Sequence, residues 1–202
     1  MRRSSQSRLQ HNVAVVGHDS GGLIARHARA GDRRLRALGL IDTEQSTGLS
    51  WRFRMFVAGR RVSGYGAVLG WLAGQPNLRR NGFVLGDAFD DRSLLDGEFD
   101  EFLLQPLHVS RAQCDAVIRL LRSFNFELVH ELNRLHQRID APVHLVWGEH
   151  DKLFLVAWAN QMVSTFPNAS LSVIADAGLF AHEEKPAEVA AALLSTLTTL
   201  RQ

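Results

Sequence analysis

Cysteine is almost absent from this chain: Cys114 stands alone among 202 residues. That excludes an internal disulfide and any zinc site built on paired cysteines, and it fits a reducing cytoplasm. Tyrosine is just as scarce, with Tyr65 alone. No apolar run is long enough to cross a bilayer, so no membrane partner is expected. The stretch Met1–Gln10 carries basic residues but no apolar segment, and is not expected to act as a secretory leader. Neither sign of charge is in marked excess: 23 Lys and Arg face 21 Asp and Glu, a net +2. The arginines are scattered among acids, with no basic stripe interleaved with aromatics, so nucleic acid is not an expected partner. Internal repeats and low-complexity segments are absent. What remains is 46% hydrophobic and 22% charged, the composition of a globular protein with a substantial core.

The richest stretch is Val13-Ala-Val-Val-Gly-His-Asp-Ser-Gly-Gly22. A run of β-branched residues ends at Gly17, a short polar turn follows, and Leu23–Ala30 then has helix-forming composition. Strand, glycine-flanked polar residue, helix is the build of a nucleophile elbow. Glycines two before and two after the central residue relieve the crowding of so sharp a turn. Asp19 has Gly17 and Gly21 at those offsets; Ser20 would have His18 on one side. The candidate nucleophile is therefore a carboxylate. Glycine-rich strand-to-helix turns also open nucleotide-binding folds, but the Gly-x-Gly-x-x-Gly spacing is absent here.

Three further apolar runs, Leu38–Ile41, Val143–Trp147 and Leu171–Ile174, join Val13–Val16 as expected buried parallel strands. Helical patterns between them predict βαβ units, hence an α/β fold with helices on both sheet faces. The interval from Thr43 to Asp140 is too long for a loop and reads as a mostly helical insertion. Within it, Ser110-x-x-Gln113 has the form of a capping box. Val117, Leu120, Leu121, Phe124, Leu128, Leu132 and Leu135 then recur near a 3.6-residue period, predicting one long amphipathic helix. A last helix is expected from Pro186 through Leu200. The division is residues 1–42 (elbow strand, helix and next strand), 43–140 (helical insertion) and 141–202 (the rest of the core).

Gly17-His-Asp-Ser-Gly-Gly22, with these later segments, resembles the α/β-hydrolase superfamily, in particular its aspartate-elbow branch of epoxide hydrolases and haloalkane dehalogenases. The resemblance implies a mostly parallel sheet with helices on both faces, and a cap formed by the insertion. It implies an alkyl-ester mechanism: Asp19 attacks an electrophilic carbon, and a histidine oriented by a second carboxylate activates water to hydrolyse the ester. Pro142-Val-His-Leu-Val-Trp-Gly-Glu-His-Asp151 resembles the superfamily's strand followed by Trp-Gly-x-x-Asp, which makes Asp151 the implied acid. Asp42, ending the second strand, is the alternative acid. The backbone N–H of Ser20 is the implied oxyanion donor. No cofactor and no metal are implied.

The chain also departs from the pattern. Where the family reads Gly-His-Phe, this sequence reads Gly178-Leu-Phe180, so Leu179 occupies the position of the base. A leucine cannot take a proton. His182, three residues on, is the substitute base or else a surface or helix-start histidine. His18 is expected to pack or hydrogen-bond beside the elbow. About a dozen residues precede Val13, where the family fold carries several strands and the other oxyanion donor. The resemblance therefore covers only the C-terminal part of that fold. It implies an exposed, apolar Val13–Val16 edge, with self-association through it. Trp51, Tyr65 and Trp71 are candidate pocket residues. Haloalkane dehalogenases usually have tryptophan where Ser20 stands, and epoxide hydrolases use two cap tyrosines where this chain has one. The expected function is hydrolysis of a small apolar electrophile, an epoxide or alkyl halide. The alternatives are a relative that binds a ligand without turnover, and a truncated hydrolase that needs residues upstream.

Overall fold

A computed structural model describes residues 12–197. Four strands, β1 (Val13–His18), β2 (Leu35–Ile41), β3 (Val143–Gly148) and β4 (Ala169–Ile174), form one parallel sheet in the order β1-β2-β3-β4. Each begins or extends a residue or more beyond its apolar run, because the ladder continues into flanking Gly and polar positions. All six residues of β3 are buried. Its side chains alternate as a pleat requires: Val143, Leu145 and Trp147 enter one core cluster, whereas Val146 enters the other.

Helix α1 (Ser20–Arg29) links β1 to β2. Its Ala25 joins the first cluster, as do Ala159 and Met162 of the helix between β3 and β4. The final helix, whose described part is Pro186–Leu197, lays Val189 and Leu193 on the opposite face. Gly39 of β2 makes that approach close: a Cβ there would sit 2.6 Å from the Leu193 side chain. Both faces of the sheet are thus covered, which is the α/β fold expected. The expected extension of the last helix to Leu200 lies outside the described residues.

The segment between β2 and β3 is helical: α2 (Trp51–Gly59), α3 (Tyr65–Ala73), α4 (Pro76–Arg79), α5 (Gln105–Val109), α6 (Arg111–Ser123), α7 (Phe126–His130) and α8 (Leu132–His136), with π-helical turns at Gly82–Gly86 and Asp100–Leu104. Phe53, Val57 and Ala73 share the core cluster of Leu145 and Trp147, so insertion and sheet pack as one interior. The Ser110 hydroxyl caps α6 by accepting from the Gln113 amide at 3.4 Å.

The single long helix expected from Val117 to Leu135 is corrected: it is broken after Ser123. Phe124 and Asn125 are extended, and the Asn125 side chain caps α7 by accepting from the Glu127 amide at 3.0 Å. Arg60 takes up the freed Leu121 and Phe124 carbonyls at 2.9 and 2.6 Å. The Phe124 ring turns edge-on to Phe53 and Phe126. An asparagine cap and aromatic packing override the apolar period.

Candidate active site

Among the described residues three non-glycine residues have positive φ, and all are aspartates following strands: Asp19, Asp42 and Asp176. Asp19 joins β1 to α1 at φ 50°, ψ −134°, a region L-residues avoid at about 1–3 kcal/mol. The neighbouring strand holds the turn: the Asp19 amide lies 3.2 Å from the Ile41 carbonyl and 3.0 Å from that of Asp42. Crowding there explains Gly17, where a Cβ would meet the Gly21 carbonyl oxygen and the Gly22 amide at 2.7 Å. The matching demand falls on Gly22 and not on Gly21, correcting the expected spacing argument. A Cβ at Gly21 meets nothing within 4 Å, whereas one at Gly22 would lie 2.5 Å from the Thr43 hydroxyl.

That threonine belongs to a buried network the sequence did not disclose. Thr43 Oγ1 donates to the Asp19 carbonyl at 2.7 Å and accepts from Arg26 Nη2 at 2.8 Å. Arg26 is wholly buried on α1 and also donates to the Gly22 carbonyl at 3.0 Å. Burial pulls its pKa down to about 10, with Glu44 opposing the shift. The buried Glu44 carboxylate accepts from the Ser20 hydroxyl at 2.9 Å. An arginine at the seventh residue of an elbow helix reads as a surface cation, so only the fold reveals this role.

Asp19 is half-buried, and its Oδ1 is shut off from solvent without a hydrogen-bond partner. Loss of solvation, then the charges of Glu44 and Asp151, raise its pKa to about 7 against opposing hydrogen bonds from the Ser20 backbone and hydroxyl. Two cavities meet at this residue. The larger, about 370 Å³, runs between Asp19, Trp51, Arg52, Phe56, Tyr65, Phe83, Asp87, Leu153, Leu179 and Phe180. The other, about 290 Å³, is walled by Ser20, Leu23, Phe53, Phe124 and neighbouring apolar residues. Trp51 and Tyr65 thus sit where a pocket residue must. The Tyr65 hydroxyl is directed at the Phe56 carbonyl, 3.3 Å away. Trp71 is corrected: α3 carries it away from Asp19 into a separate cavity beside Cys114 and Ile118.

Asp42 and Asp151 are both buried. Asp42 Oδ1 accepts from the Gly148 amide at 2.8 Å, and Asp151 Oδ1 accepts from the amides of Leu153 and Phe154 at 2.7 and 3.0 Å. Each has its second oxygen buried and unpartnered. Burial raises both pKa values, and the charge of Asp151 pushes Asp42 further. Each is thus a buried carboxylate anchored through one oxygen only.

Leu179 holds the sequence position expected of the base. Leu179 is buried, lines the Asp19 cavity and belongs to the central core cluster. His182 stands in the short helix α10 (Ala181–Glu184), which follows α9 (Val156–Val163). Its ring lies 4.3 Å from that of His18, and no hydrogen bond joins it to Asp42 or Asp151 among the described residues. Burial, and then the neighbouring His18, lower its pKa to about 4. His18 itself bonds the Leu179 carbonyl through Nε2 at 2.9 Å, in the packing role expected of it. Glu184 fastens this loop: it accepts from the Gly178 amide at 2.6 Å and from the amides of Asp90 and Asp91 at 2.8 Å.

The fold recurs in solved structures. An α/β-hydrolase enzyme, MGS-M2, from a Medee basin deep-sea metagenome library aligns with TM-score 0.68 and 20% identity over 93% of this chain and 65% of its own. An epoxide hydrolase, CorEH, aligns with TM-score 0.71 and 18% identity over 95% and 70%. A 2-hydroxy-6-oxo-6-phenylhexa-2,4-dienoate hydrolase from Rhodococcus sp. strain RHA1 aligns with TM-score 0.70 and 12% identity over 93% and 64%. The chain spans about two thirds of the length of these structures, and at such identities they share the fold alone. No curated protein matches the sequence. The model of the Alpha/beta hydrolase family matches residues 5–192, nearly the whole chain, and the chain belongs to that family.

Proposed function

We propose that this chain is a hydrolase of the aspartate-elbow kind, acting on a small epoxide or alkyl halide through an ester on Asp19. The observation that carries the reading is Asp19 itself: a strained carboxylate with an unpartnered, buried oxygen where two largely apolar cavities meet. In the first step an Asp19 oxygen attacks the electrophilic carbon. The new C–O bond forms as the carbon–halogen bond breaks and halide leaves, or as an epoxide C–O bond opens and its oxygen takes a proton from water. In the second step water adds to the ester carbonyl, and the Ser20 amide is a candidate donor to the developing oxyanion. Collapse releases the alcohol and restores Asp19. Asp151 is the proposed orienting acid and Asp42 its alternative. A cytoplasmic location fits the lone cysteine.

Leu179 bears on the second step. Attack needs only an ionised Asp19, whereas hydrolysis needs a base, and losing a member of such a set costs several orders of magnitude. The reading therefore has the ester accumulate. Treatment with an activated alkyl halide or epoxide should add one substrate-sized mass to Asp19, located by peptide mapping, and Leu179→His should release it. Ready turnover by the unaltered chain, abolished by His182→Ala, would make His182 the base instead. A relative that binds its ligand without chemistry is the second reading, favoured by the same leucine. Binding with no adduct on Asp19 would select it.

A further inference from the structure

The Asp19 cavity is apolar on most sides, with one cation in its wall. Among its lining residues Arg52 alone carries positive charge, and Asp87 is the acid beside it. Arg52 Nη1 reaches Asp87 Oδ2 at 2.8 Å and the Gly82 carbonyl at 3.0 Å. Its guanidinium lies over two aromatic rings, 5.0 Å from the Trp51 centroid and 5.2 Å from that of Phe83. Among the described residues no hydrogen bond is made by Nε or Nη2, the edge of the fork that grips a carboxylate with two parallel bonds.

Asp87 does not neutralise this arginine alone. Arg92 Nη2 lies 3.3 Å and Lys152 Nζ 3.1 Å from its other oxygen, so three cations share one buried carboxylate. Arg92 and Lys152 lie outside the cavity lining and are about half exposed, so Arg52 is the cation the cavity itself presents, with an Asp87 shared among three partners beside it. The remaining polar wall residue, Tyr65, is committed to the Phe56 carbonyl. A small neutral electrophile would leave the Arg52 fork unpaired.

We infer that the substrate of the Asp19 cavity carries a carboxylate, held by Arg52 on the insertion while the electrophilic carbon faces Asp19. This rests on the proposed reaction at Asp19, and it changes the substrate class from a wholly apolar electrophile to an amphipathic acid. Arg52 then acts as a specificity residue: it binds the part of the molecule that does not react, and offsets the repulsion between an anionic substrate and ionised Asp19.

The test compares acids with neutral isosteres. Calorimetry should find 3-phenylpropanoate bound at least tenfold more tightly than 3-phenylpropanamide. Arg52→Met should remove the difference, and Arg52→Lys, which keeps the charge without the fork, should lower it at least threefold. Should Arg52→Met fail to fold by thermal melting, Arg52→Lys decides. In parallel, 4-(bromomethyl)benzoate should label Asp19 faster than 4-(bromomethyl)benzamide, and 3-phenylpropanoate should slow that labelling. Equal binding of acid and amide, or a preference that survives in Arg52→Lys and Arg52→Met, overturns the inference. Equal labelling of Asp19 by both bromides, unaffected by Arg52→Met, overturns it and leaves the ester mechanism standing. An Arg52-dependent preference with no label on Asp19 from either bromide overturns the ester mechanism and leaves the carboxylate site.

Discussion

At the scale of single residues the environment of Asp19 makes a prediction about pH. Its pKa is raised to about 7, chiefly by loss of solvation and then by Glu44. Only the carboxylate is nucleophilic, so its fraction grows with pH through that value. Labelling of Asp19 by an alkyl bromide should be slow at pH 5, rise about tenfold per pH unit well below 7, and level off above 8. A rate already flat from pH 5 would mean that Asp19 titrates in the ordinary carboxylate range. The sequence made Asp19 legible, because glycine at a fixed offset before an acid in a strand-to-helix turn has few other uses. Leu179 was legible too, as a leucine at the position where the resemblance implies a base. Arg26, Thr43 and Glu44 were hidden, because their partners come from α1 and the start of the insertion and no spacing rule connects them. Arg52 was hidden for another reason: in a chain rich in scattered arginines, only the cavity distinguishes it.

At the scale of the element, the elbow glycines are not equivalent, and Gly21 differs in sign from the other two. Gly17→Ala forces a methyl group into the backbone of Gly21 and Gly22, and Gly22→Ala forces one into Thr43, which Arg26 holds in place. Each should destabilise by about 1–3 kcal/mol, as overpacking does. Gly21→Ala meets open space inside a helix and should be neutral or stabilise by up to about 1 kcal/mol, near 2–4 °C in Tm for a chain of this size. Thermal melts of the three variants check the order; a destabilised Gly21→Ala would contradict it. The strands were readable from short β-branched runs bounded by Gly, Asp or Pro. The break after Ser123 is not legible in the sequence, because the apolar period continues unbroken across Asn125. What ends α6 is the non-local contact of Phe124 with Phe53, and of Arg60 with the carbonyls that the break exposes.

At the scale of the whole molecule the sheet order brings the ends of β1, β2 and β3 side by side, and with them Asp19, Asp42 and Asp151. Ligands of open α/β sheets bind at these carboxyl ends. Among the described residues β1 pairs only with β2, and Val16 on it is 46% exposed. An unpaired parallel edge of this kind invites pairing with another chain. We propose self-association through it, to be measured by light scattering. A mass above one chain that falls when a charge is introduced at Val16 supports the proposal, and a monomer at all concentrations refutes it. The central claim, however, is chemical, and the most direct measurement is the mass of the Asp19 peptide after exposure to a reactive alkyl halide. A single ester is expected on Asp19 in the native chain, none in Asp19→Asn, and its release in Leu179→His. Label on other residues only, or equal label in Asp19→Asn, would contradict it.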